Sequence, residues 1–362
     1  MENKLEKARK IINDVDARMA ELFVERMRAA ELVAEHKREH GLRILDKARE
    51  DEVVRRNSER IEDPEMRAYY VNFLRNNMAV SRAYQDKLME GMKVAYSGTE
   101  GAFAHIATSK LFPTARKIAY GDFQSAYRAV ECGECDVAVL PTENSYNGEV
   151  GQVTDLMFSG TLYVNALTDL EVSQDLLGVK GARLSDVREV ISHSQALGQC
   201  AGYIAKHGFA SREYINTALA AKLVADTADK SLAAIGSAEA AEVFGLEVID
   251  HDINEAKNNT TRFAVFSRSE NIHKIGEGGV HTILLFTVRN EAGALAKAIE
   301  IIGRHGFNMH SLRSRPMKEL LWQYYFYVEA EGNVNTPEGQ AMLADLSPYC
   351  DKLKIVGTYV KD

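Results

Sequence analysis

The chain changes character at M-E-G-M-K-V-A-Y-S-G-T-E-G-A-F, residues 89–103. Up to Glu90 it is dense in charge, with 42% Asp, Glu, Lys and Arg and a single glycine, Gly41. Beyond Glu90 the charged share falls to 21% and the other 24 glycines appear. Lys93 to Tyr96 reads as a short apolar strand, Gly98-x-x-Gly101 as a turn and Phe103 onward as a helix, a grammar the first 90 residues lack. At roughly 150 residues per domain, 362 residues make more than two domains. The junction therefore separates an all-helical part from an α/β part.

Toward the N-terminus, Leu5, Ala8, Ile12, Val15, Met19, Leu22, Ala29, Ala30 and Val33 recur at spacings of three and four, which predicts one helix over 4–40 ended by Gly41. Asp46 caps a second helix, and Asp63-Pro64 starts a third through Tyr70, Leu74 and Leu88. A first helix about 50 Å long outreaches two shorter helices of its own chain, so a dimer is the expected solution. Toward the C-terminus, strands are expected at Lys93 to Tyr96, Asp136 to Leu140, Leu162 to Ala166, Val190 to Ser192, Leu232 to Ile235 and Arg262 to Ser267, with helices such as Gln199 to His207 and Thr217 to Thr227 between them. Residues 275–279 read as a linker. The last 80 residues then follow a βαββαβ order, the ferredoxin-like α+β module, with its third strand over Trp322 to Glu329.

A net charge of -8 offers no footprint for nucleic acid or an anionic membrane. No apolar run is long enough to span a bilayer and the start lacks a signal peptide's apolar core, so a cytoplasmic location is expected. Cys132, Cys135, Cys200 and Cys350 are too scattered for a disulfide framework, and the one C-x-x-C pair has no partners for zinc. The chemistry-bearing residues are cations instead. Projected at 100° per residue, Arg26 and Lys37 fall within about 20° of each other, inside the apolar stripe of the first helix and about 16 Å apart along it. One such cation suits an ion pair with a carboxylate such as Glu50; several argue for an anionic ligand, because unpaired buried charge is costly. Ser81 and Gln85, an i,i+4 pair on the third helix, form a polar patch to face them.

The spaced set Arg9, Asp16, Arg26, Lys37, Asp46-x-x-Arg49-Glu50, Ser81 and Gln85 resembles the all-helical chorismate mutases over residues 1–90. The resemblance implies an intramolecular Claisen rearrangement without nucleophile, metal or cofactor, run by holding a compact conformer and stabilising the breaking ether bond. By it, Arg26, Arg49 and a partner subunit's Arg9 hold two carboxylates and Lys37 and Gln85 donate to the ether oxygen. Glu50 and the backbone near Asp46 take the hydroxyl, and Ser81 supports a carboxylate.

Pro141-Thr142-Glu143-Asn144-Ser145, Ser192-His193-Ser194-Gln195, Gln199-Cys200, Gly236-Ser237-Ala238-Glu239 and Asn259-Thr260-Thr261-Arg262-Phe263 lie at strand ends, where α/β folds build sites. The series is similar to prephenate dehydratase over residues 93–272. That implies a two-lobed, periplasmic-binding-protein-like α/β domain with crossovers near 170 and 251. The implied reaction is loss of hydroxide with loss of carbon dioxide, driven by aromatisation. On the family match, Thr261 carries the essential hydroxyl, Arg262 binds the side-chain carboxylate, Phe263 lines the ring, and Asn144, Ser192 and Gln199 hydrogen-bond the substrate; because a threonine is a poor acid, we read it as a positioned donor or a relay fed by Glu143. Ser194 and Asn216-Thr217-Ala218 depart from the usual pattern.

Residues 281–362 resemble an ACT regulatory module. Gly293, Ala294 and Leu295 match one half of its amino-acid site, and Asn308, Arg313 and Ser314 the other, with Arg313 standing where glutamate is usual. Together the three resemblances are those of the bifunctional chorismate mutase/prephenate dehydratases. They imply chorismate and prephenate as substrates, phenylalanine as effector, and a homodimer or homotetramer. Two other readings remain open on the residues alone: a dehydratase with a non-catalytic helical dimerisation arm, and a non-catalytic amino-acid sensor.

Overall fold

The computed structural model describes residues 3–256, 258–271, 279–317 and 323–360. Most of the expected linker and Trp322 lie outside the described residues. The chain falls into two compact units, Met1–Lys93 and Val94–Asp362.

The first unit is three helices, α1 (Lys4–Glu39), α2 (Lys47–Ser58) and α3 (Pro64–Glu90). Their ends are where the cap residues put them. Asn3 closes a capping box with Glu6, Asp46 accepts from Arg49 N, and Asp63 accepts from Glu65 N and Met66 N with Pro64 behind it. The stripe on α1 is not covered within the chain: Leu5, Ile12, Val15, Met19, Leu22 and Val33 are exposed, and only Ala30 and Ala34 are buried on that helix. Two shorter helices reach only part of it.

The described residues of the second unit form three sheets. The first lobe is built from β1 (Lys93–Ser97), α4 (Phe103–Leu111), β2 (Arg116–Tyr120), α5 (Phe123–Glu131), β3 (Val137–Asn144), β4 (Gly148–Glu149), α6 (Gly151–Ser159) and β5 (Tyr163–Glu171). The second lobe follows, with β6 (Asp175–Gly178), β7 (Glu189–Ser192), α7 (Ser194–Gln199), α8 (Ala201–His207), β8 (Ala210–Glu213), α9 (Thr217–Thr227), β9 (Leu232–Gly236), α10 (Ala238–Phe244) and β10 (Glu247–Asp250). The chain then returns to the first sheet through β11 (Thr260–Ser267), giving the orders β2-β1-β3-β11-β5 and β10-β6-β9-β7-β8. Where they are described, the two passages between lobes bond each other, Val172 N to Asn259 O and Ile253 N to Gln174 O, and Asp252 N bonds Asp175 Oδ1 at the start of β6.

Several elements differ from expectation, three of them beside the cleft. Strand β3 does not stop at Leu140 but runs on through Pro141 to Asn144. Pro141 is tolerated because the register with β11 shifts there, Phe263 pairing with Pro141 and Arg262 with Glu143, which leaves Thr142 as the extra residue of a bulge. Strand β11 begins at Thr260, so Asn144 and Thr261 are cross-strand partners. The helix expected over Gln199 to His207 begins at Ala201 as α8, and a separate short helix, α7, precedes it up to Gln199.

The third sheet, from β12 (Val280–Val288), α11 (Ala294–Arg304), β13 (Asn308–Pro316), β14 (Tyr324–Glu331), α12 (Pro337–Leu346) and β15 (Cys350–Val360), has the ferredoxin-like order β13-β14-β12-β15, antiparallel throughout. Eight consecutive residues of β12 are buried because both faces are covered. Leu284, Phe286, Val328 and Ala330 pack under α11 and α12, and Ile283, Leu285, Tyr325, Tyr327 and Tyr359 join the core of the first lobe. At that seam a Cβ on Gly357 would lie 2.1 Å from the Val164 carbonyl oxygen. Gly357→Ala is expected to force the strands apart and to cost about 1–3 kcal/mol. A thermal melt with an unchanged midpoint would contradict this close packing.

Candidate active sites

In the helical unit the expected polar residues come together in two clusters. Arg26 Nη1 donates to Ser81 Oγ and, at 3.4 Å, to Asn77 O; burial holds the guanidinium below its ordinary pKa. About three turns along α1, Lys37 Nζ donates to Ile44 O and, at 3.2 Å, to Gln85 Oε1. Lysine only donates, so Gln85 must offer it the carbonyl end, which leaves the Nε2 donor for a ligand. Ser81 and Gln85 are buried. Three expected groups stand elsewhere. Glu50 is bonded by Arg82, Arg49 is exposed and paired with Glu52 at 2.7 Å, and Asp46 is occupied as the cap of α2. Arg9 lies 17 residues from Arg26 on the same helix, about 25 Å away along its axis.

In the second unit a cavity of about 570 Å³ opens between the two lobes. From the first lobe come Phe103, Asn144, Glu149, Asn259 and Thr261, and from the second Gln174, His193, Gln199, Asn216 and Thr217. Asn144 and Thr261 are joined by a bond across the β3/β11 pair. Asn144 Nδ2 donates to Thr261 Oγ1 (2.9 Å), Asn259 Oδ1 (2.8 Å) and Thr260 O (3.2 Å), while its Oδ1 accepts from Tyr146 N and Asn147 N. Those five contacts allow only one orientation of the amide. Thr261 Oγ1 is therefore an acceptor from Asn144 and keeps its own proton for the cavity. Asn259, 4% exposed, must turn Oδ1 to Asn144, and its Nδ2 is left without a partner among the described residues; so is Gln174 Oε1, which also lines the cavity.

The described residues lining this cleft include neither Lys nor Arg. Helix starts open onto it instead: Phe103 begins α4, Val150 precedes α6, His193 precedes α7, and Asn216 with Thr217 opens α9. Free N–H groups and the macrodipole make each such end favourable to an anion. The Gly98-x-x-Gly101 turn is not one of them. Gly98 N bonds Tyr120 O and Gly101 N bonds His105 Nδ1, so the N–H groups of both glycines are used internally.

Several expected residues are not in the cleft. Period-two alternation sends Arg262 to the opposite face from Thr261. There its Nε and Nη2 meet the Asp169 carboxylate at 2.8 and 3.2 Å, with Glu329 at 3.8 Å, and the bond to Asp169 raises the guanidinium's pKa. Glu143 shares that face and is bonded by Arg313 Nη2 at 2.6 Å, so it does not feed a proton to Thr261. Phe263 is 1% exposed and packed away. Ser192 is fully buried and its hydroxyl donates to Ile235 O at 2.6 Å, a structural bond. Gln199 does line the cleft, held by Gln174 Nε2 at 3.3 Å. Sequence reasoning missed Glu149, Gln174, His193 and Asn259 as lining residues. Asn259 and His193 lay inside quoted motifs; nothing in the sequence marked Gln174.

In the terminal module Gly293 adopts φ +85° as the N-cap of α11, with Ala294 opening the helix and Leu295 packed on its core. Ser314 pairs with Phe326, on the helix-covered face. Arg313 pairs with Tyr327 and lies on the other face, toward the first lobe. It is therefore not part of one pocket with the Gly293 turn in this chain, and Asn308 is an exposed residue at the start of β13.

Comparison with known proteins gives a consistent picture. Residues 94–271 match the family model for prephenate dehydratase, and residues 8–86 that for chorismate mutase type II. The chain is 30% identical to a bifunctional chorismate mutase/prephenate dehydratase of Neisseria gonorrhoeae, over 97% of this chain and 95% of that protein. Among solved structures, one described as GqqA, a novel type of quorum quenching acylase, superposes with TM-score 0.70 at 31% identity, over 75% of this chain and 98% of the other. The prephenate dehydratase of Arthrobacter aurescens, solved with L-Phe, superposes with TM-score 0.68 at 24% identity, over 75% and 90%.

Proposed function

Because the chain belongs to the bifunctional chorismate mutase/prephenate dehydratase family, we propose a specific division of labour among its residues for the two reactions the family runs. It rearranges chorismate to prephenate and converts prephenate to phenylpyruvate with loss of water and carbon dioxide. The modules we assign are residues 1–90 for the mutase, 93–272 for the dehydratase and 281–362 for the ACT module.

For the mutase, the cluster of Lys37 with Gln85 donates to the ether oxygen as charge develops on it, and Arg26 with Ser81 holds a carboxylate. Arg49 turns from Glu52, and Glu50 from Arg82, to complete the site when substrate arrives. Arg9 serves the site of a second subunit, because about 25 Å of helix keeps it from its own. The uncovered stripe of α1 supports a homodimer, whose burial would remove those apolar side chains from water.

For the dehydratase, the observation that carries the assignment is the Asn144–Thr261 bond, which leaves the threonine proton free to reach the departing hydroxyl. A threonine is too weak an acid to act alone, so it acts as an aimed donor in a relay. The helix ends hold the two carboxylates and Asn259 Nδ2 donates to one of them. This arrangement differs from an amide hydrolase's activated nucleophile: Thr261 Oγ1 accepts from Asn144, and the His193 ring accepts from Gln195 N. Phenylalanine acts at the Gly293–Leu295 turn with Asn308 and Ser314, without Arg313. A cytoplasmic location belongs to the same proposal; among the described residues no helix is long and apolar enough to cross a membrane.

Feeding pure protein with chorismate, with and without phenylalanine, while following prephenate and phenylpyruvate tests the division. Lys37→Ala is expected to abolish only the first step and Thr261→Ala only the second, and phenylalanine to slow the second. An active Thr261→Ala would overturn the dehydratase assignment. Asn259→Asp keeps the bond from Asn144 but replaces the free donor by a carboxylate. KM for prephenate is expected to rise at least about 10-fold at neutral pH and to recover as pH falls and the new carboxyl gains a proton; an unchanged KM would remove Asn259 from the site. In sedimentation equilibrium the chain is expected to run as a dimer or larger, and a monomer with full mutase activity would exclude the shared site.

A further inference from the structure

On the face of the dehydratase sheet turned away from the cleft, four charges of alternating sign stand in a row across four strands. Arg313 of β13 bonds Glu143 of β3, Glu143 is the cross-strand partner of Arg262 on β11, and Arg262 bonds its own cross-strand partner, Asp169 on β5. Glu329, a buried carboxylate of β14, stands 3.8 Å from Arg262 and accepts from Tyr359 Oη. Both ends of the ACT sheet's contact with this row are therefore charged groups. Asn144 and Thr261 are the next residues along β3 and β11, on the cleft side.

We propose that Arg313 is a positioning residue for dehydration: by gripping Glu143 from the ACT sheet it keeps Asn144 in register with Thr261. The reason such a grip is needed is the bulge at Thr142. Past it only two β3 residues pair with β11, Glu143 with Arg262 and Asn144 with Thr261, and Pro141 on the near side has no N–H to give. On its other edge that short end is paired only with the two residues of β4, and it carries the group that aims the catalytic hydroxyl. Arg315, two residues on and on the same face as Arg313, secures the following segment through Asp155 (3.0 Å) and Glu149 (3.4 Å). Without Arg313, Glu143 keeps Arg262 as its cross-strand partner on β11 and competes with Asp169 for it. The pull tilts the Glu143–Asn144 end toward β11 and misaligns the Asn144–Thr261 bond.

This inference rests on the assignment of Asn144 and Thr261 to the dehydratase. The test compares Arg313→Gln, Glu143→Gln, the double variant and Arg313→Lys in the full chain, with rates normalised to the folded fraction at the assay temperature. Each neutral variant is expected to lower dehydratase kcat by roughly 10- to 100-fold with KM for prephenate little changed. The double variant is expected to be no worse than the poorer single, Arg313→Lys to recover most of the loss, and mutase turnover to stay at the parent rate. A normal kcat in Arg313→Gln, or losses that multiply in the double variant, would overturn the proposal. If Arg313→Gln does not fold, Glu143→Gln decides, and a normal kcat there has the same meaning. An inactive Thr261→Ala beside a fully active Arg313→Gln sinks this inference alone, whereas an active Thr261→Ala sinks the site assignment beneath it.

Discussion

The return of β11 between β3 and β5 is the constraint on which the rest of the larger unit depends. It brings Thr261 against Asn144, a residue 117 positions earlier, after the chain has built an entire second lobe. A strand inserted in the middle of a sheet is held on both edges by main-chain bonds, so its side chains cannot choose their face. Thr261 must face the cleft if Arg262 faces away, and the same alternation puts Asn144 in the cleft and Glu143 behind it. One strand thus divides a contiguous motif between two tasks: a hydrogen-bonded hydroxyl on the cleft side and an ion-paired seam on the other.

That division explains which parts were legible in advance. Helix boundaries in the first unit follow from Asp46, Asp63-Pro64 and Gly41, whose effect is local and carried by the residue itself. The α/β alternation and the βαββαβ tail follow from periodicity. The side-chain directions of Arg262, Glu143 and Arg313 do not, because each depends on a register set by a strand elsewhere in the chain. A bulge at Thr142 shifts that register by one residue, and a shift of one exchanges the faces. The strand expected to end at Leu140 instead continues through Pro141, beside the bulge. Gln174 was invisible for another reason. It sits in a passage between lobes, where no periodic pattern exists, and becomes a cleft residue only when the two passages lie side by side.

The helical unit presents the complementary case. Its recognisable residues are brought together in pairs, Arg26 with Ser81 and Lys37 with Gln85, yet the apolar stripe that should surround them is largely exposed. Half-buried cations beside uncovered leucine, isoleucine and valine side chains make a poor terminal state for one chain. Burying apolar surface is worth roughly 25 cal/mol per Å² removed from water, and the same burial strengthens every polar contact to an anion held between the helices. In the proposed dimer, association and ligand binding share one surface, and Arg9, at the far end of α1, is assigned to the site of the second subunit.

The charges behind the cleft are better understood as fixing geometry than as adding stability. The Arg313–Glu143 pair is about one-quarter and one-third exposed, a range in which ion pairs contribute little net stability. Arg262 and Asp169 are a fork-to-carboxylate pair, which is more directional, but Asp169 is half exposed as well. A row of such pairs still restricts where each strand end can sit, because the two inner members, Glu143 and Arg262, each stand between neighbours of opposite charge. The Arg315 guanidinium illustrates the same economy. Burial acts to lower its pKa, but the bond to Asp155, with the Tyr325 and Glu149 oxygens nearby, leaves it raised overall, so the group stays charged at the seam. Position at the active site is sensitive to tenths of an ångström where stability is not. A seam of weak pairs between sheets can thus govern catalysis while contributing almost nothing to holding the sheets together, a task left to the tyrosines and aliphatic side chains beneath it.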